Sequence, residues 1–181
     1  MGKANSKRKA GQVKVCKISM LSMMAQSRAK IDDTVVERYT EEMKRGEAFP
    51  PVDVFQDGKN LFLADGFHRI AAAIKAEFST FRATIVKGTL RDALLYSVGA
   101  NATHGLPRTN EDKRHAVMML LNDPEWSSWS ANEIAKQCKV SDTFVGKIMN
   151  SLSPSSNGAK KKRKFRPPDL RLEMSGHVEI G

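Results

Sequence analysis

A short run with three polar side chains, Asp65-Gly66-Phe67-His68-Arg69, stands where an apolar stretch gives way to an alanine-rich one. This pattern is typical of a strand that turns into a helix. A helix start presents free backbone N–H groups and a positive dipole end, which bind anions. Gly66 lets the backbone approach a ligand, while Arg69 and His68 can donate hydrogen bonds to phosphate oxygens. Asp65 would cap the helix or hold a hydroxyl group. A phosphate site and an ordinary strand-to-helix turn are both compatible with these five residues.

A second candidate site lies between residues 130 and 150. Ser130 and Glu133 have the spacing of a capping box, and the apolar residues that follow have the spacing of two short helices joined by a turn. Lys139 stands at the turn position where glycine is usual, so a positive φ is expected there. In a helix-turn-helix, the second helix enters the major groove of DNA. A structural helical hairpin with a polar face is the alternative.

The second of these helices is predicted to be capped by Ser141 and to turn Val145 and Ile148 towards the core. Its opposite face carries short polar side chains and one cation, which suit base edges and phosphates. The residues predicted to bind DNA are Ser141, Asp142, Thr143, Gly146, Lys147 and Asn150.

Other residue types that could do chemistry are poorly placed for it. Cys16 and Cys138 belong to no Cys-x-x-Cys pair, so a disulfide scaffold or a cysteine-rich metal site is not expected. His104 and His115 lack carboxylate or thiol partners at ligand spacing, apart from Glu111 and Asp112, which are interpreted as charges in the first turn of a helix. The chain also lacks the carboxylate cluster of a two-metal nuclease. We therefore predict no metal site built by the protein alone.

The charge of the chain favours a polyanionic partner. Its 30 Lys and Arg against 20 Asp and Glu give a net charge of +10, concentrated at residues 3–17 and 160–171. Residues 160–164, KKKRK, are interpreted as a solvated or DNA-facing run. No apolar run approaches the roughly 18 residues of a membrane span, and no signal-peptide core follows the basic start. A cytoplasmic protein without a membrane partner is the prediction.

Strand-like and helix-like patterns alternate in the first half of the chain. Asp57-Gly58 between two apolar runs is a strong hairpin signal. From Thr109 onward the pattern is helical only, with Thr109 and Asp112 as a capping pair and Val117 and Leu120 on an apolar stripe. The predicted elements of the first half are a strand at 13–19, a helix from 32–33 to 46, strands at 52–55 and 60–64, a helix at 67–76, a strand at 81–86 and a helix at 90–98.

This order predicts an α+β protein. A small mixed α/β domain would span residues 13–98, and an all-α helix-turn-helix domain would span 99–150. A disordered basic tail at 1–12 and a basic linker and tail at 151–181 would flank them.

The segment LADGFHRIAAA, residues 63–73, resembles the second conserved box of the ParB/sulfiredoxin superfamily, in which a Gly-x-x-Arg turn holds nucleotide phosphates. Residues 99–105, GANATHG, resemble the next ParB box, in which a Glu-Asn pair helps to bind a metal–triphosphate. The resemblance covers about residues 13–150 and is closest to ParB-like proteins of plasmids and mobile elements. It implies that CTP, or another nucleoside triphosphate with Mg²⁺, is held by Asp65, Gly66, His68, Arg69, Asn101, Thr103 and His104.

Two residues depart from the family pattern. Ala100 replaces the metal-binding Glu, so we predict at most weak triphosphate binding and slow or absent hydrolysis. Phe67 replaces the reactive cysteine of sulfiredoxin, which excludes that activity.

The sequence thus predicts a ParB-like protein that binds double-stranded DNA and acts in plasmid partition or transcriptional regulation. A degenerate nucleotide-binding domain would precede the DNA-binding helices, and a homodimer is compatible with the resemblance. A nucleotide hydrolase or phosphotransferase on the same fold is one alternative, and a protein-interaction module in which both candidate sites are structural is another.

Overall fold

A five-stranded mixed sheet forms the centre of the first half of the chain. The computed structural model describes residues 11–100 and 106–152. The strands are β1 (Gln12–Lys17), β2 (Leu21–Ser22), β3 (Val52–Asp57), β4 (Asn60–Asp65) and β5 (Thr80–Lys87). Their order is β1-β5-β3-β4-β2. The pairs β1–β5 and β3–β4 are antiparallel, and β3–β5 and β2–β4 are parallel. The predicted hairpin is β3–β4, with Gly58 at φ 58° in its turn.

The strand predicted at 13–19 is shorter in the structure. It ends at Lys17, where the chain enters a 3₁₀ helix at Ile18–Met20 and then rejoins the sheet as β2. Leu21 of β2 pairs with Leu61 of β4, a contact between distant segments that no local pattern signals. At its start, β1 includes Gln12, while residues 1–10 of the predicted basic tail lie outside the described residues.

Six α helices occur in the described residues. They are α1 (Asp33–Lys44), α2 (Phe67–Lys75), α3 (Leu90–Gly99), α4 (Asn110–Leu121), α5 (Ala131–Cys138) and α6 (Asp142–Leu152). The predicted capping boxes of Thr109 with Asp112 and Ser130 with Glu133 are confirmed. The helix α6 extends through Leu152, and residues 153–181 of the predicted linker and tail lie outside the described part of the chain.

Both faces of the sheet are covered by helices. Val52 and Val54 of β3 belong to a buried cluster that also contains Met43 of α1 and Ile70 of α2. On the other side, Phe55 packs against a small cluster that includes Ala93 of α3. This alternation follows from the two-residue period of a strand.

The helices α3 to α6 share a separate apolar cluster. Its buried members include Val98, Leu120, Trp126, Ile134 and Val145. Because Leu94 of α3 packs against this cluster and also against the one beneath the sheet, α3 joins the two halves of the described structure. The division at residues 98 and 99 stays a prediction.

Candidate functional site

The predicted strand-to-helix turn is confirmed at Gly66. The strand β4 ends at Asp65 and α2 begins at Phe67, with Gly66 between them at φ 97°. A Cβ atom at this position would lie 2.4 Å from Cγ1 of Val52, a fully buried side chain. Both the left-handed φ and the lack of space therefore require glycine here.

The start of α2 has no side-chain cap. Every other α helix of the described residues begins with a hydrogen bond from a backbone N–H to a side chain: Asp32, Thr89, Thr109, Ser130 or Ser141. The carboxylate of Asp65, which was expected to cap α2 or to hold a hydroxyl group, accepts a hydrogen bond from Arg69 at 3.1 Å. The first N–H groups of α2 have no intrahelical acceptors and remain suited to an anion.

The guanidinium of Arg69 is fixed at the wall of a cavity. Its Nη1 donates to the carbonyl oxygens of Pro50 and Pro51 at 2.8 and 2.7 Å, and its Nη2 donates to Asp65. These bonds hold the planar group in one orientation. Most of its N–H donors are already engaged. An anion would therefore interact with the charge of Arg69 and with its remaining N–H groups, but not with all of its donors.

His68 is nearly buried, at 6% exposure, and joins two helices. Its Nε2 accepts a hydrogen bond from the backbone N–H of Asp32 at 3.0 Å, at the N-cap of α1. Burial, with a smaller effect of nearby Arg28, lowers the pKa of His68, so the neutral ring is favoured. With Nε2 acting as acceptor, the predicted donation from His68 to a phosphate would have to come from Nδ1.

The cavity at this turn has a volume of about 520 Å³ and is lined by Gly66, His68, Arg69, Arg28 and Ala100, among others. The structure thus brings Ala100 to the same cavity as the predicted phosphate turn. The other predicted members of that loop, Asn101, Thr103 and His104, lie outside the described residues.

Arg28 is a cavity residue that the sequence analysis did not identify. Its side chain, 13% exposed, forms an ion pair with Asp112 at 3.1 Å and donates to the carbonyl oxygen of Leu106 at 2.6 Å. The backbone N–H of Ala29 also donates to Asp112. These partners lie about 80 positions later in the chain, so nothing in the local sequence around Arg28 could have signalled its role.

The described residues suit a phosphate better than a metal ion. An uncapped helix start, Arg28 and Arg69 are all favourable to an anion. Four carboxylates line the cavity. Asp65 is paired with Arg69, and Asp53 accepts a hydrogen bond from the hydroxyl of Tyr96. Glu42 and Glu47 form ion pairs with Arg38 and Arg45. Within residues 11–100 and 106–152, no group of three or more His, Cys, Asp or Glu side chains is arranged to hold a metal ion.

Neither cysteine offers a reactive thiolate. Cys16 and Cys138 are both free and buried. Burial raises the pKa of Cys138 to about 12 and also raises that of Cys16. His115 is engaged as well, because its Nδ1 lies 3.1 Å from the carbonyl oxygen of Ser27.

The second candidate site consists of α5, α6 and the turn between them. Lys139 adopts φ 51° and ψ 54°, as predicted for the turn, and the Oγ of Ser141 accepts a hydrogen bond from the N–H of Phe144 at 3.2 Å. Val145 and Ile148 are buried, as predicted. On the opposite face, Ser141, Asp142, Thr143, Lys147 and Asn150 are exposed and Gly146 is half-buried.

The turn between α5 and α6 is fixed from inside by Arg108. Its Nη1 donates to the carbonyl oxygen of Val98 at 2.8 Å, near the end of α3, and its Nη2 donates to those of Cys138 and Lys139 at 2.7 and 3.2 Å. Gly99 allows a close approach, since a Cβ there would lie 2.7 Å from the carbonyl oxygen of Gln137. A cation near the C-terminal ends of α3 and α5 satisfies free carbonyl groups and complements both helix dipoles.

In the described part of the chain, no helix combines the length and the apolar composition needed to cross a membrane.

Two curated relatives from Streptomyces share sequence with the chain. It is 26% identical over 113 residues to the transcriptional regulator NovG of Streptomyces niveus, and the aligned region covers 62% of this chain and 34% of NovG. It is 27% identical over 115 residues to the streptomycin biosynthesis operon possible regulatory protein of Streptomyces griseus, which covers 62% of this chain and 32% of that protein. The chain thus matches about one third of the length of each relative.

A scan against family models finds no match. Among solved structures, the pNOB8-like ParB N-domain superposes with a TM-score of 0.56 at 13% identity, covering 81% of this chain and 66% of that one. Identity at that level speaks for the fold alone. The chain therefore has the fold of ParB N-terminal domains, as its sequence predicts.

Proposed function

We propose that this chain is a DNA-binding regulator of the ParB-like type. The observation that carries the proposal is the α5–turn–α6 unit. Its apolar side is buried, its turn is held by Arg108, and a mostly polar face of α6 is left exposed. In our proposal this unit is a helix-turn-helix within an all-α domain at residues 99–150, and α6 is its recognition helix.

The face of α6 has the chemistry of a groove reader. Thr143 and Asn150 can meet base edges, and Lys147 can meet a phosphate or a guanine. Ser141, Asp142 and Gly146 complete the proposed contact surface. The net charge of +10 and the basic run at residues 160–164 support a polyanionic partner and would add sequence-independent affinity by releasing counterions.

The relatives' names favour transcriptional regulation over plasmid partition as the role of this chain. We place its action in the cytoplasm, on the DNA of a nucleoid or plasmid. Monomer and homodimer are both compatible with the proposal.

We further propose that the cavity beside α2 binds a nucleotide phosphate, with CTP as the first candidate. Support comes from the required Gly66, the uncapped start of α2 and the two arginines at the cavity, Arg28 and Arg69. Since Ala100 brings no carboxylate to this cavity, binding is expected to be weak and hydrolysis slow or absent.

The DNA proposal is tested by selecting duplexes from a random pool with the full chain and with a variant in which Thr143, Lys147 and Asn150 are changed together to Ala. We expect the variant to lose about 1–3 kcal/mol of discrimination for each base contact removed while keeping much of its nonspecific binding. Deleting residues 157–181 should weaken binding to all duplexes and flatten the salt dependence without changing the preferred site. If the triple variant selects the same sequence as the wild type, α6 is not the reader.

The nucleotide proposal is tested by isothermal titration with CTP, ATP and GTP, with and without the selected duplex. The competing function, a nucleotide hydrolase or phosphotransferase on this fold, is favoured by the same anion-binding features and predicts turnover without DNA. Sustained release of phosphate by the wild-type chain would support that alternative. Weak binding without turnover supports a regulator with a degenerate nucleotide site.

A further inference from the structure

Lys139 has a backbone conformation that side chains rarely adopt. In residues 11–100 and 106–152, only Lys139 (φ 51°) and Glu77 (φ 62°) are non-glycine residues with positive φ. Both are exposed: Lys139 is the C-cap of α5, and Glu77 follows the C-cap of α2. Glycine would adopt this conformation without steric conflict, so an L-residue here carries backbone strain, and only a favourable contact of its side chain would offset the cost.

The structure fixes the Lys139 position tightly. The N–H of Val140 donates to the carbonyl oxygen of Ala135 at 3.0 Å, and Arg108 binds the carbonyl oxygens of Cys138 and Lys139. Gln137 donates from its side chain to the carbonyl oxygen of Leu95 at 2.6 Å, which holds the end of α5 against α3. Because these hydrogen bonds hold the backbone at this turn in place, the exposed side chain of Lys139 extends from a fixed Cα position.

The segment around this turn carries cations without ion-pair partners. Lys136, Lys139 and Lys147 are its three lysines, all exposed, and none forms an ion pair with any residue that the structure describes. Some other cations, such as Arg91 with Asp123, are paired, whereas exposed Lys44 and Lys87 likewise form no ion pair with a described residue. Lys139 stands two positions before Ser141, the cap of α6. When a recognition helix enters the major groove, the preceding helix crosses the phosphate backbone.

We propose that Lys139 binds a DNA phosphate beside the groove that α6 enters. The contact would be sequence-independent and would position α6 rather than read bases. This inference rests on the proposed DNA-binding function and adds a residue to it. The competing explanation is that Lys139 only complements the dipole at the end of α5, where a cation is favourable.

The test measures binding of the full-length chain to a labelled mixed-sequence 30-base-pair duplex by fluorescence anisotropy, in NaCl from about 50 to 400 mM. Three variants are compared: Lys139→Gly, which removes the charge and the strain, Lys139→Gln, which removes the charge alone, and Lys139→Arg, which keeps the charge. Glu77→Gly is the matched control, because it relieves the same backbone conformation at a site far along the chain from α6. Thermal unfolding of each variant is recorded in parallel.

We expect Lys139→Gly and Lys139→Gln to reduce the slope of log K against log salt by about 0.9, the value for one phosphate contact, and to weaken binding about eightfold near 0.1 M salt. Lys139→Arg and Glu77→Gly should keep the wild-type slope, and Lys139→Gly should melt no lower than the wild type. If the wild type binds the duplex and both neutral variants keep its slope of log K against log salt, Lys139 is a structural residue and the inference is wrong. If the wild type binds no duplex, the proposed function itself fails. Should Lys139→Gly fold poorly, Lys139→Gln still decides between these outcomes.

Discussion

Replacing Arg108 by Met should destabilise the helical half of the protein. The guanidinium of Arg108 binds the carbonyl oxygens of Val98 and Cys138 at 2.8 and 2.7 Å in partly buried surroundings, and that of Lys139 at 3.2 Å near the surface. Methionine keeps part of the apolar stem but has no N–H donor. The variant would leave carbonyl groups at the ends of α3 and α5 without their partner.

The magnitude follows from these bonds. A hydrogen bond from a charged donor contributes about 1.5–3 kcal/mol, so the two short bonds together represent about 3–6 kcal/mol. Part of this is offset, because burial opposes the charge of Arg108 and lowers its pKa, and because water can reach the freed carbonyl groups. We expect the free energy of unfolding to fall by about 2–4 kcal/mol, a large share of the roughly 5–15 kcal/mol of a typical domain.

Urea denaturation followed by tryptophan fluorescence measures this change in the helical half of the protein, where Arg108 lies. The chain has two tryptophans, and both Trp126 and Trp129 pack in the cluster of α3 to α6. With a slope of about 2 kcal/mol per molar urea, the midpoint should fall by about 1–2 M. Arg114→Met, at an exposed position of α4, is the control and should stay within about 0.5 kcal/mol of the wild type. An Arg108→Met midpoint equal to that of this control would refute the reasoning.

Three further predictions concern the cavity. Gly66→Ala should lower the free energy of unfolding by about 2–4 kcal/mol, because φ is 97° and the new Cβ would lie 2.4 Å from Cγ1 of the buried Val52. Thermal or urea denaturation measures this change, and a transition like that of the wild type would contradict the prediction. Burial lowers the pKa of His68 from 6.5, so the unfolded state binds more protons and the stability of the folded state should fall as the pH drops below about 6.5. In His68→Gln the loss of stability between pH 7 and 5 should be smaller. Equal losses in the two proteins would show that the His68 ring is not the group responsible. Ala100→Glu should gain Mg²⁺-dependent affinity for CTP in calorimetric titrations, and unchanged affinity with equal CTP turnover in both proteins would contradict our account of Ala100.

Much of the helical structure could be predicted from local sequence signals. Thr109 with Asp112 and Ser130 with Glu133 lie three residues apart, and each pair forms its hydrogen bonds within one helical turn. Asp57-Gly58 likewise specified a hairpin between adjacent strands. In these cases the interacting groups are neighbours in sequence, so residue type and spacing are sufficient.

The candidate sites could be predicted only in part. Gly66 and the polar face of α6 follow from chain-local patterns, and the structure places both as expected. The hydrogen bond between Asp65 and Arg69, one helical turn later, was not among the expected roles of Asp65. No pattern indicated that the Nε2 of His68 would accept a hydrogen bond from the N–H of Asp32, 36 positions earlier.

The sequence by itself determined where most helices and strands begin, which side of α6 is polar, and that Gly66 must turn the chain into α2. These features depend on backbone preferences and on hydrogen bonds within a few residues. Only the tertiary structure decided that β2 joins the far edge of the sheet, that Arg28 reaches Asp112, and that Arg108 ties α3 to α5. Those contacts form between segments separated by 10 to 84 positions, and their partners are chosen by how the packed elements meet.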